Sequence, residues 1–144
     1  VARTGEGLCL VVLDLDNFKA LNDRYGHGVG DRALAHLTVV TRQIVRPMDL
    51  VARLGGEEFA ILFTGVSIDE AAAITARLQR RLTRDFFLGG DERLFLTFSG
   101  GVAEVQPGET REDALNRADQ ALYEAKRAGK NRIVKAATQP AIAA

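Results

Sequence analysis

The chain has 144 residues, 47% of them apolar, and its 19 basic side chains balance 19 acidic ones. This length suits one globular domain, and the zero net charge argues against a nucleic-acid coat or a membrane-surface protein, because both usually carry a basic excess. The single cysteine, Cys9, excludes an internal disulfide, and no Cys/His spacing indicates a zinc site. Without a signal-peptide pattern or an apolar run of membrane-spanning length, we expect a cytoplasmic domain with no nucleic-acid partner and no membrane contact.

The first third of the chain predicts one buried strand and two helices. Leu8–Leu13 is a continuous apolar run, typical of a strand that is buried on both faces. Asp16 is placed to cap a short helix, and a glycine-punctuated loop over residues 26–30 follows that helix. From Val29 onward apolar residues recur at helical spacing until Pro47, which ends the second helix.

The rest of the chain alternates short strands with two capped helices. Leu50–Leu54 and Phe59–Phe63 flank Gly55–Gly56, a pair that favours a two-residue hairpin turn because both positions can take positive φ. Ser67 and Glu70 form the pattern of a capping box at the start of a third helix. The remaining predicted elements are strands at Phe86–Leu88, Leu94–Phe98 and Gly101–Val105, with a hairpin around Gly89–Gly90, a helix capped by Thr110 with Asp113 and stopped by Gly129, a strand at Ile133–Val134, and a disordered tail over residues 136–144.

The element order predicts an α/β (α+β) fold with a ferredoxin-like sheet. It runs β-α-β-β-α-β, with extra strands before a final α-β unit. In this topology the first and third strands are antiparallel neighbours, so the end of the first lies beside the start of the third. Asp14 occupies the first place, and Glu57 with Glu58 the second. Clustered carboxylates without Cys/His ligands favour a hard cation such as Mg²⁺, although acids beside a turn can also be ordinary exposed residues.

Three separated motifs give the chain a family resemblance. RLGGEEF (Arg53 to Phe59) resembles the signature of the GGDEF-domain diguanylate cyclases, in the variant with Glu in the third place. DLDNFKALNDRYGHGVGD (Asp14 to Asp31) resembles the upstream block of that family, and ADQALYEAKRAGKN (Ala118 to Asn131) resembles its C-terminal block. The resemblance extends over residues 1–135, which we expect to form one GGDEF domain.

The resemblance implies a palm-type antiparallel-mixed sheet flanked by helices, related to the adenylyl cyclase catalytic core. It also implies the reaction: two GTP become cyclic di-GMP and two pyrophosphates. Two Mg²⁺ or Mn²⁺ ions per active site are implied, held by Asp14, the backbone carbonyl of Leu15, Glu57 and Glu58. Glu57 and Glu58 are the implied catalytic residues, and Glu57 is credited with taking the proton. How the two glutamates divide their roles stays open.

Substrate-binding residues are also implied by position in the motifs. Asn22 and Asp31 occupy the guanine-reading places, and their alternatives are a helix C-cap and a helix N-cap. His27 either touches the nucleotide or holds its loop. The phosphate-binding and close-approach residues implied by the resemblance are the backbone N–H of Phe18, the side chains of Lys19, Lys126 and Lys130, and the backbone at Gly55 and Gly56. For Lys126 and Lys130 the alternative is a favourable charge at the negative end of a helix, and both roles can hold together.

A second site is implied by the sequence Arg-Pro-Met-Asp at residues 46–49. It resembles the RxxD inhibitory motif of the family, in which Arg46 and Asp49 bind the product and Arg77 on the next helix completes the site. The alternative is an arginine at a helix end followed by an aspartate in a turn.

The family's leading helical block is absent before Val1, so we expect a trimmed domain from a longer protein with a sensory or regulatory domain. Each half-site holds one GTP, so catalysis is expected to require a homodimer. The rival hypothesis is a catalytically silent module that binds GTP or cyclic di-GMP as a regulatory ligand. Another nucleotide cyclase or polymerase with a similar palm is disfavoured by Asn22 and Asp31.

Overall fold

The computed structural model describes residues 7–137 and contains seven strands and four helices within that range. Five strands form one mixed sheet, and the other two form a separate hairpin. In chain order the elements are β1 (Leu8–Leu15), α1 (Phe18–Tyr25), α2 (His27–Ile44), β2 (Leu50–Gly55), β3 (Glu58–Thr64), α3 (Ile68–Arg84), β4 (Phe87–Gly89), β5 (Glu92–Leu94), β6 (Phe98–Glu104), α4 (Arg111–Arg127) and β7 (Ile133–Lys135).

The sheet has the order β2-β3-β1-β6-β7, which confirms the ferredoxin-like prediction. β1 pairs antiparallel with both β3 and β6, and β7 adds a parallel edge strand beside β6. Because β1 is central, its side chains are buried on both faces, as the continuous apolar run predicts.

The two faces of the sheet carry cores of different size. Helices α2 and α3 pack on one face, where Val11, Leu37 and Leu78 belong to the larger core. Helix α4 covers the other face over a smaller core, which includes Val12 and Ala118. A Cβ at Gly101 would collide with the α4 backbone at Ala118, so glycine there lets the helix lie close to the sheet.

The helix caps were predicted with mixed success. Both polar caps are confirmed: Ser67 and Glu70 form a complete capping box, and Thr110 accepts a hydrogen bond from the Asp113 N–H. The predicted cap at Asp16 is wrong, because the residue before α1 is Asn17, in the left-handed conformation with φ 58° and no side-chain cap. The Asp16 carboxylate instead accepts hydrogen bonds from Thr97 just before β6, from Ser99 in β6 and from the loop that follows α4.

The predicted loop over residues 26–30 is also wrong, because only Gly26 separates the first two helices. Its φ of 92° suits glycine and turns the chain, and α2 already begins at His27. Asp31 is therefore the fifth residue of α2 and cannot be its N-cap. Asn22 lies inside α1, so the C-cap alternative for it is wrong as well.

Two hairpin turns lie one residue later than predicted. The first is formed by residues 56–57, after a register irregularity between Arg53 and Gly55, and the second by residues 90–91. Gly56 and Gly90 take positive φ, of 48° and 67°. The predicted strand at Leu94–Phe98 is mostly a connection, since β5 ends at Leu94 and β6 begins at Phe98.

Of the predicted tail, residues 138–144 lie outside the described residues. Ala136 continues the edge pairing, since its N–H donates to the Val102 carbonyl at 2.7 Å. No helix within residues 7–137 combines the length and apolar character needed to cross a membrane.

Candidate active site

Three carboxylates meet where β1 ends and β3 begins. In the antiparallel register Asp14 lies directly opposite Glu58. The Leu15 N–H donates to the Glu57 carbonyl at 3.3 Å, which holds the turn against the end of β1. The predicted convergence of Asp14 with Glu57 and Glu58 is therefore confirmed, and it follows from the strand order and register.

The carboxylates destabilise one another's charged forms. Burial raises the pKa of Asp14, and the neighbouring Glu57 and Asp16 raise it further, while Lys126 lowers it. Burial likewise raises the pKa of Glu58, followed by the charges of Asp119, Asp14 and Glu57. The Lys126 Nζ lies 3.2 Å from Asp14 Oδ2 and is the cation closest to that acid among the described ion pairs. Such a cluster favours an added cation.

The donor set at this edge fits a divalent cation. Asp14 Oδ1 is buried and has no hydrogen-bond partner, so one carboxylate oxygen is available as a ligand. Carboxylate oxygens are the ligands that Mg²⁺ prefers, and it commonly takes only one or two of them from the protein. Within residues 7–137 no three acidic, histidine or cysteine side chains form a complete metal cage. The remaining ligands would thus come from main-chain oxygen, substrate or water.

A second unpartnered oxygen lies between α1 and α2. Asn22 Oδ1 is buried without a hydrogen-bond partner. Gly30 of α2 lies directly against it, and a Cβ there would collide with the Asn22 side-chain oxygen. The close approach of the two helices thus buries this acceptor oxygen against the backbone of Gly30. Asp31 and His27 are exposed on the same helix as Gly30.

The predicted phosphate-binding lysines occupy two different environments. Lys126 contacts Asp14, and the Lys130 Nζ donates to Asn17 Oδ1 at 2.8 Å, so both lie near the end of β1. Lys19 instead lies on the surface, with its side chain 90% exposed and 3.4 Å from Asp23. Because α1 begins at Phe18, its first-turn N–H groups have no intrahelical acceptors.

The signature glycines leave space above the hairpin. A Cβ at Gly55 or Gly56 would meet no atom within 4 Å, and Gly56 requires positive φ. Both residues are exposed beside the carboxylates, so a ligand can approach the backbone there.

The predicted second site is only partly assembled. Arg46 and Asp49 form a close ion pair, with Nη2 2.7 Å from Oδ1, and the Arg46 N–H also donates to Asp49 Oδ2. This pairing raises the pKa of Arg46. The Asp49 side chain is fully buried, whereas Arg77 is exposed on α3. No hydrogen bond or ion pair joins Arg77 to Arg46 or Asp49 in the described part of the chain.

Two acidic residues at this site are not predicted by the sequence. Asp119 of α4 adds negative charge beside Glu58. The buried Asp16 side chain accepts three hydrogen bonds. The available signal for Asp16 is its spacing: it follows Asp14 by two residues, and residues two apart on an extended chain point the same way.

Comparisons with known proteins decide the family. The model of the family described as "Diguanylate cyclase, GGDEF domain" matches residues 1–132. Diguanylate cyclase DgcP of Pseudomonas aeruginosa is 40% identical over 131 residues, which is 91% of this chain and 20% of that protein. The chain belongs to the GGDEF family of diguanylate cyclase domains.

Solved GGDEF domains share its fold. The GGDEF domain of DgcB from Caulobacter crescentus, in complex with c-di-GMP, matches with a TM-score of 0.86 and 35% identity, covering 91% of this chain and 78% of that one. The active GGEEF domain of a diguanylate cyclase from Vibrio cholerae matches with a TM-score of 0.86 and 30% identity, covering 92% and 85%. The chain spans a fifth to about a third of the length of the curated relatives it matches.

In the GGDEF domain the signature residues 53–59 form the β2–β3 hairpin. The upstream block runs from the end of β1 through α1 into α2, and the C-terminal block covers the second half of α4 and the following loop. All three motifs therefore meet at the end of the central sheet where β1 ends and β3 begins.

Proposed function

We propose that this GGDEF domain is an active diguanylate cyclase, which condenses two GTP into cyclic di-GMP and two pyrophosphates. One observation carries the proposal. Within the described residues, two side-chain oxygens are buried without a partner, Asp14 Oδ1 and Asn22 Oδ1. Buried polar atoms are normally satisfied, so an exception favours a missing ligand. Here one oxygen suits a cation and the other suits a hydrogen-bond donor such as a guanine amine.

Asp14, Glu57, Glu58 and the Leu15 carbonyl would hold the cations. Two Mg²⁺ or Mn²⁺ ions would lower the pKa of the attacking 3′-hydroxyl and offset the charge that develops on the α-phosphate. A cation here would also stabilise the charged forms of Asp14 and Glu58, whose pKa values are raised first by burial and then by the neighbouring carboxylates.

The reaction also needs a base and anion-binding groups from the chain. Glu57 accepts the proton of the 3′-hydroxyl of one GTP. The 3′-oxygen of that GTP then bonds to the α-phosphorus of the second GTP. Pyrophosphate leaves with the electron pair of the broken P–O bond. Lys126 and Lys130 bind the phosphates, together with the free N–H groups at the start of α1, including that of Phe18. Lys19, which is exposed, approaches the phosphates from solvent.

Guanine selection rests on Asn22 and Asp31. The Asn22 amide offers both a donor and an acceptor, and the Asp31 carboxylate can accept from guanine N1–H and the 2-amino group together. Adenine lacks this pair of donors. His27, exposed at the start of α2, borders the same region.

Two copies of the domain act together, because one site holds one GTP and the product joins two. Their encounter is controlled by a sensory or regulatory domain of a longer cytoplasmic protein. The short share of the curated relatives that this chain spans supports that arrangement.

Product feedback is proposed at Arg46, Asp49 and Arg77. Arg77 is the better test position, because Arg46→Ala would leave the buried Asp49 carboxylate without its guanidinium partner. Arg77→Ala should weaken cyclic di-GMP binding about tenfold, since a charge-assisted hydrogen bond contributes about 1.5–3 kcal/mol. Calorimetry on the Glu57→Gln protein, with and without Arg77→Ala, measures this. Arg80→Ala, also exposed on α3, is the matched control, and equal binding by all three proteins would remove Arg77 from the site.

The rival function is a silent module that binds GTP or cyclic di-GMP without turnover. Incubation of concentrated protein with GTP and Mg²⁺, followed by chromatography, separates the two. We expect cyclic di-GMP and pyrophosphate from GTP and no cyclic product from ATP. Nucleotide binding without any product at high protein concentration would favour the silent module.

A further inference from the structure

Asp16 is a buried acid that the proposed chemistry leaves without a role. Its side chain is 1% exposed, and both carboxylate oxygens are occupied. Thr97 Oγ1 donates to Oδ2 at 2.8 Å, and Ser99 Oγ donates to Oδ1 at 2.7 Å. The Asn131 N–H donates to Oδ2 at 2.9 Å, and Lys126 Nζ lies 3.9 Å from Oδ1. Asp16 thus differs from Asp14, which keeps one buried oxygen without a partner.

The loop that Asp16 contacts has an unfavourable backbone. Gly129, Lys130 and Asn131 take φ values of 126°, 68° and 50° in succession. Left-handed conformations are unfavourable for residues with side chains and persist only when surrounding contacts impose them. Asp16 holds the Asn131 N–H from the end of β1, and Gln79 of α3 donates to the Asn131 carbonyl and side-chain oxygens at 2.7 and 2.9 Å.

The same loop carries Lys130. Its Nζ donates to the side chain of Asn17, the residue next to Asp16, at 2.8 Å. Residues 16 and 17 therefore hold the loop at two points, one through its backbone and one through its lysine. Without the backbone contact, the loop keeps the hydrogen bond from the Lys130 N–H to the Ala125 carbonyl at 3.0 Å but loses its backbone link to the end of β1, so the position of Lys130 is less constrained.

We infer that Asp16 is a positioning residue, which fixes the 129–131 loop so that Lys130 faces the phosphates of the bound nucleotide. The inference rests on the proposed function for the identity of the ligand. It assigns Asp16 no contact with the nucleotide and no metal ligation, because its oxygens are already hydrogen-bonded.

The test measures the affinity for 3′-deoxy-GTP with Mg²⁺ by calorimetry, since this nucleotide lacks the attacking hydroxyl and is not consumed. Asp16→Ala should weaken binding about tenfold. Asp16→Asn should stay within about threefold of wild type, because the amide oxygen still accepts from Asn131 and the Ser99 hydroxyl can turn to accept from the amide N–H.

A double-mutant cycle with Lys130→Ala separates positioning from general loss of structure. If Asp16 acts through Lys130, Asp16→Ala should weaken binding by less than about twofold in the Lys130→Ala background. Losses that multiply in the double variant would overturn the inference, as would wild-type affinity in Asp16→Ala. Loss of Mg²⁺-dependent thermal stabilisation in Asp16→Asn, equal to that in Asp14→Asn, would make Asp16 a ligand and also overturn it.

Gln79→Ala covers the case in which Asp16→Ala does not fold. This substitution removes the exposed hydrogen bonds from α3 to Asn131, so it frees the same loop on the side opposite Asp16. Its effect on nucleotide affinity should also shrink in the Lys130→Ala background. Full independence from Lys130 would again contradict a positioning role. Failure of the wild-type protein to bind 3′-deoxy-GTP would contradict the proposed function itself, whereas binding that ignores Asp16 contradicts this inference alone.

Discussion

Glu58 lies among three other carboxylates, so we expect its charge to destabilise the fold when no cation is bound. Burial and the charges of Asp119, Asp14 and Glu57 raise its pKa in the folded state above the ordinary value. The folded state then binds more protons than the unfolded state between the ordinary and the raised pKa, so stability falls as pH rises through that window. Glu58→Gln should therefore raise the melting temperature at pH 7 without divalent ions and flatten its decline with pH.

With Mg²⁺ present, the melting temperature of Glu58→Gln should no longer exceed that of wild type. A ligand present at 100 times its dissociation constant stabilises a protein by about 2.7 kcal/mol. If Glu58 binds the cation as proposed, Glu58→Gln should receive less of this stabilisation, because the amide oxygen carries no negative charge. Thermal melts from pH 4 to 7, with and without Mg²⁺, measure both effects. Gln substitution at the exposed Glu112 is the control. A melting temperature that drops in metal-free Glu58→Gln would show that the carboxylate stabilises the fold.

At this scale the sequence predicts the acid cluster well and the Asp16 network poorly. Asp14 and Glu58 meet because strand order and register place them opposite each other, and both follow from the element pattern. Asp16 precedes a short helix, a position that favours a cap. Its actual partners, Thr97, Ser99 and Asn131, lie 81 to 115 residues away in sequence, and no local pattern indicates them.

The packing of α1 against α2 determines the shape of the proposed guanine site. A Cβ at Gly30 would collide with the Asn22 side chain, whereas a Cβ at Gly28 would meet nothing within 4 Å. Alanine in place of helical glycine normally stabilises by up to about 1 kcal/mol. Gly28→Ala should therefore leave GTP affinity unchanged and stability equal or higher.

Gly30→Ala should displace the Asn22 amide and weaken GTP binding about tenfold, while binding of Mg²⁺ alone persists. Calorimetry with GTP and thermal melts on both variants make the comparison. Equal GTP affinity in the two variants would separate Asn22 from guanine recognition. The glycine spacing in the sequence predicts a loop here, because helix interiors normally exclude glycine. The contact with α1, which has no local sequence signal, explains why Gly30 lies inside a helix.

Helix α4 carries Lys126 in its last turn and is anchored in its first half by Arg117. The Arg117 guanidinium donates from Nε to Glu109 Oε2 and from Nη2 to Glu109 Oε1, each at 2.8 Å, and both side chains are 10% exposed. Removing one partner of a buried pair typically costs about 3–5 kcal/mol. Arg117→Ala should lower the free energy of unfolding by about that amount in urea denaturation, whereas Ala at the exposed Arg111 should change it by under about 0.5 kcal/mol.

The same pair makes stability sensitive to acid. Hydrogen bonds from Arg117 lower the pKa of Glu109 below its ordinary value of 4.5. The stabilisation is fully present above the ordinary pKa and is lost as pH falls through the folded-state pKa. Arg117→Ala should therefore lose less stability than wild type between pH 5 and pH 2. Parallel pH curves for the two proteins would contradict the assignment.

Across the whole molecule, motifs that are distant in sequence come together at one end of the sheet, where the central strand β1 ends. The central strand β1 is paired on both sides, so its end is fixed between the hairpin of β2 and β3 and the start of β6. The architecture was predictable because buried strands and capped helices leave local signals. The turn positions and the β5–β6 connection were harder to predict from the sequence, because they depend on strand register rather than on composition.

Diguanylate cyclase activity is tested most directly by the rate of cyclic di-GMP formation from GTP and Mg²⁺, measured over a range of protein concentrations for wild type and Glu57→Gln. We expect the wild-type rate to rise more steeply than in proportion to the protein concentration, because two copies must meet. Glu57→Gln, shown to be folded by its thermal melt, should form no product because the proposed proton acceptor is missing. Cyclic di-GMP from Glu57→Gln at a rate close to wild type would contradict the proposed catalytic role of Glu57.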